Sequence, residues 1–344
     1  MPATERRRVQ RTGSSSFIVT LPKDWVDAIG LKSGDYVIIE KHGDKLVIIP
    51  PAAEVAQLRA MIKVYPGIDI PQVFRMILGA YIAGYGTITV AFDPSIPELA
   101  KLVSEIKNMA RIKLAGIEVV EETYNSVTFK VLLNLRELPL VSAIKRLHII
   151  VNNMLQDCIN LIRTSDVSFA HAVIQRDDEA DRFHHMIVRE LSMTLLDVRV
   201  QHELGITNIV ETLSYRIIAR NLERIADHAV NIAKRVLSAG GIKSIELVHD
   251  LIVKTVELFN KAMNSLYSLS RRDAEEVIYE AKQIVKDIED ALYGKVLSLP
   301  IDIKEKIAIT LIYDSLRRIT RYSNGIAESV LNIKAAKVSE IDVK

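Results

Sequence analysis

Asp177 and Asp181 stand four residues apart in "DDEADRFHHMIVREL", and Glu223 and Asp227 do the same in "NLERIADHAVNIAK". On a helix that separation puts both members of a pair on one face. Asp177 falls on the stripe Val173, Ala180, Ile187 and Leu191, while the second pair is flanked by Ala219, Ala226, Val230 and Ala233. Small neighbours let helices approach closely. Four carboxylates on one packed face repel unless cations neutralise them, and oxygen donors suit Mg, Ca, Mn or iron. Facing helices of a bundle can hold such ions. The same spacing permits a plainer arrangement, with Glu223 paired to Arg220 and Asp227 to Arg224 along one helix, each pair worth ~0.2–0.5 kcal/mol. His184, His185, His228 and Asn231 lie within about one turn of the acids and are further candidate ligands.

The elements that must position these residues change character along the chain. Residues 6 to 50 hold short β-branched runs, "RVQRT", "FIVTL", "DYVIIE" and "KLVII", with a short helix from Pro22 to about Ile29 and turns at Gly13 to Ser16 and at "HGD". Pro50-Pro51 ends this unit. From 52 to 137 helix and strand alternate: a helix near 71 to 83, a strand at 87 to 92, a helix from Pro97 to about 113, then "IEVVEET" and "VTFKVLL" joined at Asn125-Ser126. This predicts a small α/β domain. From 138 to 344 the pattern is helical, with breaks near Ser165, Gly205, Gly240-Gly241, Arg271 and Pro300, giving six long helices. Residues 221 to 234 align with 315 to 328, and 177 to 191 with 286 to 299, so the helical part reads as two tandem three-helix bundles, at about 138–240 and 241–338, sharing a core.

Composition sets limits on function. A chain of 344 residues, 49% hydrophobic and 26% charged, is long enough for two or three domains. Its net charge of +2 leaves any basic surface local. One local cluster stands out: Arg6, Arg7, Arg8, Arg11 and Lys23 against Glu5 within the first 23 residues. The lone Cys158 cannot form an internal disulfide or a thiolate cage, which fits a reducing cytoplasm. The start "MPATERRRVQ" lacks the apolar stretch of a signal peptide. Residues 76 to 92 carry no charge, but they are short for a membrane span of ~20 residues and are broken at Gly84-Tyr85-Gly86. No P-loop or dinucleotide fingerprint and no nucleophile constellation accompanies the acids.

With "NLERIADHAVNIAK", the paired acids and the doubled helical unit, residues 138 to 338 resemble the PhoU family of phosphate-uptake regulators. The resemblance implies multinuclear metal clusters held by acidic pairs, here Asp177, Asp181, Glu223 and Asp227 with divalent or ferric ions (Fe, Mn, Mg, Zn or Ca), and contact with components of a phosphate ABC transporter. At the aligned positions of the second repeat, Arg317, Arg321 and Lys286 replace acids. That face is expected to be metal-free, with Arg317 and Arg321 paired to Asp287 or Asp290. Residues 6 to 50, above all "FIVTLPKDWV" and "LKSGDYVIIE", resemble the AbrB/SpoVT swapped-hairpin DNA-binding domain, in which two chains interlock; archaeal proteins joining these two domains look similar across the middle segment. Four short strands alone bury too little to be stable, so a homodimer is expected. Arg6, Arg7, Arg8, Arg11 and Lys23 would then contact DNA. The expected fold is multi-domain and mainly α, with segments at 1–51, 52–137 and 138–344. The expected function is a cytoplasmic, non-enzymatic, DNA-binding regulator of phosphate uptake, without membrane insertion. One alternative is a transporter-binding regulator whose N-terminal domain only dimerises. Another is a metal-dependent phosphoesterase, since two metals can clamp an in-line displacement.

Overall fold

A computed structural model describes residues 4–13, 15–42, 44–50, 58–133, 138–298 and 300–337. Ser14 and Gly43 of the expected turns, Pro51, the expected boundaries around 52 and 137, and the last residues of the second repeat lie outside these. The chain divides into two compact units, residues 1–57 and 58–344.

In the first unit, β1 (Gln10–Thr12) pairs antiparallel with β2 (Ser16–Ile18), setting Arg11 opposite Phe17. Helix α1 (Lys23–Ile29) follows and stops at Gly30, whose φ of 70° gives the left-handed cap that glycine adopts without a Cβ penalty. Then β3 (Ile38–His42) pairs antiparallel with β4 (Lys45–Ile49). Four strands are expected here and four form among the described residues: β4 has the expected bounds, β1 is shorter, and β2 and β3 are shifted by one to three residues and shorter. Their apolar side chains are largely in water: Phe17 is 71% exposed, Ile39 59% and Leu46 67%, with Ile49 alone buried among the described hydrophobics of the unit.

The second unit opens with β5 (Arg59–Val64), α2 (Ile70–Ile82), β6 (Thr87–Phe92), α3 (Leu99–Lys113), β7 (Ile117–Thr123) and β8 (Ser126–Val131). The sheet order is β5-β6-β8-β7, with β5 and β6 parallel and the other pairs antiparallel. Alternation along β6 buries Ile88, Val90 and Phe92 against Val73, Ile77 and Tyr81 of α2 and Val103, Ile106 and Ala110 of α3. Helix α2 starts at a reciprocal cap in which Asp69 accepts from the Gln72 amide at 2.7 Å and Gln72 accepts from the Asp69 amide at 2.9 Å. The uncharged stretch 76 to 92 is thus half of α2 plus β6, and no helix among the described residues is long and apolar enough to cross a membrane.

The helices follow: α4 (Leu140–Thr164), α5 (Val167–Leu196), the short α6 (Val198–Glu203), α7 (Glu211–Ala239), α8 (Ile245–Ser268), α9 (Arg271–Ala291) and α10 (Ile303–Lys337), with a π-helical turn at Leu292–Val296 after α9. Helices α4, α5 and α7 form one bundle and α8, α9 and α10 the second, with α7 against α10 and α4 against α8. Their apolar stripes merge into one core, to which α7 gives Ile218, Leu222, Ile225, Ala229, Ile232 and Val236. Each fully buried Ile or Leu contributes about 1.5–3 kcal/mol. Gly325 of α10 leaves room for Asn221 of α7: a Cβ there would lie 2.7 Å from its Nδ2. The α/β segment joins this unit because α2 and α3 both lie on α5.

Candidate acidic site and basic N-terminal unit

Helices α5 and α7 bring the four expected acids to one place, half-buried. The carboxylates feel one another. Burial, then the charges of Asp181 and Asp227, push the Asp177 carboxyl up to about 6. Burial and Asp227, with a smaller share from Asp181, also raise Glu223. Oε2 of Glu223 is buried without a hydrogen-bond partner among the described residues.

Cations of the chain itself lie beside these acids. Asp227 pairs with Arg224 at 3.0 Å, and Glu223 lies 3.5 Å from Arg224 and 3.8 Å from Arg220. These are the along-helix pairs that the spacing allowed. The third cation comes from elsewhere: Nζ of Lys113, the last residue of α3, sits 2.9 Å from Asp181 and 3.0 Å from Asp178. Burial works against its charge, yet the two carboxylates outweigh it and hold the ammonium above the usual lysine range. Neither Lys113 nor Asp178 was singled out in the sequence, and Lys113 is 68 residues from Asp181, beyond any periodicity. As a donor set the acids suit a hard cation. As the side chains stand, however, no group of three or more His, Cys, Asp or Glu among the described residues is gathered to hold a metal ion.

The neighbouring candidates differ in what they can do. His185 donates from Nδ1 to the Lys113 carbonyl at 3.2 Å. His184 is buried with neither ring nitrogen partnered among the described residues, and burial, His185 and the α7 arginines push it down to about 3. His228 lies against Tyr322 with ring centroids 5.9 Å apart, and Asn231 is exposed.

At the second repeat the expected partners of the arginines are corrected. Arg317 pairs with Asp314 at 2.7 Å and reaches Glu289 at 3.8 Å, while Asp287 pairs with Lys254 of α8. Arg321 is exposed and lines a shallow pocket with Lys282, Asn324 and Glu328. A local pair one turn away wins over one across helices because it needs no helix-to-helix register.

A second joint was invisible in the sequence. Arg189 of α5, only 4% exposed, donates to the carbonyls of Tyr81, Gly84 and Tyr85, the last two at 3.2 and 2.9 Å, where α2 ends. A cation at a helix C-terminus satisfies its free carbonyls and its dipole.

In the first unit Arg6, Arg7, Arg8, Arg11 and Lys23 are all exposed. Arg7 pairs with Glu5, Arg11 lies on β1, and Lys23 opens α1.

Residues 144–236 match the family described as PhoU domain. Residues 10–55 match the one described as antidote-toxin recognition MazE, bacterial antitoxin. A phosphate-specific transport system accessory protein PhoU homolog of Caulobacter vibrioides is 33% identical over 96 residues, 28% of this chain. The chain spans only 38% of that relative's length. The homolog of the same name from Clostridium acetobutylicum is 22% identical over 211 residues, 58% of this chain and 93% of that protein. The crystal structure of PhoU from Pseudomonas aeruginosa has the same fold, with a TM-score of 0.51 at 19% identity, over 57% of this chain and 95% of the other.

Proposed function

We propose that this chain, which joins a PhoU domain to a MazE/AbrB-like N-terminal domain, is a cytoplasmic regulator of phosphate uptake that acts on DNA. The observation that carries the reading is the union, in one chain, of a PhoU-type double bundle with a unit that opens on a cluster of basic residues and whose apolar strands lie open. Exposed Phe17, Ile39 and Leu46 call for a second copy to cover them, and a two-fold pair doubles the basic cluster. Arg6, Arg7, Arg8, Arg11 and Lys23 then neutralise DNA phosphates. In the same reading Asp177, Asp181, Glu223 and Asp227 take up a divalent or ferric ion once the chain's own cations release them. The bundle communicates with phosphate-transporter components. No residue is given a catalytic role.

The test is recovery of DNA bound to the protein in phosphate-rich and phosphate-starved cells, followed by salt titration on the recovered fragments. With roughly four to eight phosphate contacts, log affinity falls against log salt with a slope of about −0.9 per contact. Deleting residues 1 to 50 abolishes binding. A truncated protein that binds as well as the intact one overturns the DNA assignment. A dimer that binds no DNA under either condition favours the reading in which the N-terminal domain only dimerises.

A further inference from the structure

We propose that Lys113 is a built-in counter-cation, occupying the acidic face of α5 in place of a metal ion, so that ion binding and docking of the α/β segment on the helical bundle compete. The proposal rests on the metal reading above and adds to it a role for the α/β segment.

Lys113 is held at both ends. Its ammonium bridges Asp178 and Asp181 at 3.0 and 2.9 Å, and its carbonyl accepts from His185, one turn further along the same helix, at 3.2 Å. A lysine ammonium is a compact point charge and stands in for an ion better than a planar guanidinium does. It nevertheless answers only two of the five acids gathered here: Glu223 and Asp227 lie beside Arg220 and Arg224, and Asp177 makes no ion pair among the described residues. A divalent ion brings twice the charge and takes several carboxylate oxygens at once. To gather Asp177 and Asp181 with Glu223 and Asp227 it must draw Asp181 away from Lys113. Once the ammonium is displaced, the end of α3 loses its two ion pairs to α5 and keeps only the His185 bond to the Lys113 carbonyl. The joint is not sealed there: a groove of about 380 Å³, lined by Arg111, Leu114 and Gly116 on one side and by Arg182 and Phe183 on the other, opens beside it. Linkage makes the effect reciprocal, since whatever an ion does to weaken docking, docking does to weaken the ion.

The experiment measures Mn²⁺ affinity of the full chain by calorimetry for wild type, Lys113→Met, Lys113→Gln and Lys113→Met/Asp181→Asn. It is joined to backbone hydrogen exchange of the wild type with and without Mn²⁺. Met keeps the aliphatic stem and removes the charge, and Gln is the second choice should Met disturb folding. The expected result is at least tenfold tighter Mn²⁺ binding in the Lys113 variants, reversed by Asp181→Asn. In the wild type, saturating Mn²⁺ speeds exchange at residues 110 to 117 while α9 is unchanged. Equal affinity in wild type and Lys113 variants overturns the competition and leaves the metal reading standing. So does unchanged or slower exchange at 110 to 117 in metal-loaded wild type. Binding by none of the proteins overturns the metal reading, and the competition with it.

Discussion

Glu190 should make the stability of the α2–α5 joint depend on pH in the opposite sense to that of an ion-paired carboxylate. It is 2% exposed, next to Arg189 in sequence on α5, and its Oε2 has no hydrogen-bond partner among the described residues. Burial pushes its carboxyl from 4.5 up to about 8. Its charge would act on the Tyr81 hydroxyl, which is itself held above the usual tyrosine range chiefly by burial. The folded state therefore holds the proton more tightly than the unfolded chain. The stability this supplies is fully present below the unfolded value of 4.5 and is lost as pH rises through about 8. At ~1.4 kcal/mol per pKa unit, the loss is roughly 1 kcal/mol by pH 5, roughly 3 by pH 7 and roughly 4 by pH 8. Water entering the joint on ionisation lowers these figures. Glu190→Gln keeps the shape and cannot ionise, so its stability relative to wild type should rise by up to roughly 3 kcal/mol between pH 5 and pH 8. Urea unfolding of both proteins across that range measures the difference, and groups common to both cancel. A difference that stays constant with pH refutes the buried, neutral Glu190.

Arg189→Met should remove the donors to the Tyr81, Gly84 and Tyr85 carbonyls. With charged hydrogen bonds worth ~1.5–3 kcal/mol each, the variant should lose at least about 3 kcal/mol, seen as a lower urea midpoint with faster hydrogen exchange at the end of α2. Cys158 is fully buried and donates to the Ala229 carbonyl at 3.3 Å, and burial holds its thiol far above the usual range. It should stay unreactive toward a disulfide reagent at pH 8 until urea unfolds the bundle. Prompt reaction in native buffer would contradict that burial.

Local rules read this sequence well where the structure is itself local. The i,i+4 spacing of Asp177 with Asp181 and of Glu223 with Asp227 fixed which face each pair occupies, and the small residues Ala219, Ala226 and Ala233 are buried in the core as a close helix contact requires. Alternation found β6, whose buried residues are β-branched or aromatic. It missed β5, where Ala60, Met61 and Lys63 give weak strand propensity and only pairing with β6 makes the strand. Short α6, after Asp197, was absorbed into one long helix because no glycine or proline marks that break.

What could not be read is what faces each charge. Arg224 finds Asp227, and Arg317 finds Asp314, three residues away on its own helix. Such pairs are present in any helix with that sequence and say little about function. Lys113 and Arg189 carry the opposite kind of information. One sits at the end of α3 and finds its acids on α5, and the other sits on α5 and finds its carbonyls at the end of α2. Both contacts exist only because the α/β segment docks on the first bundle. A charge satisfied by its own helix stays satisfied through any rearrangement of the bundle, whereas one satisfied across elements is released when the joint opens. The acids that respond to a ligand should therefore be sought among the latter, which singles out Asp178 and Asp181 beside Asp177, which has no ion pair among the described residues, ahead of the locally paired Glu223 and Asp227.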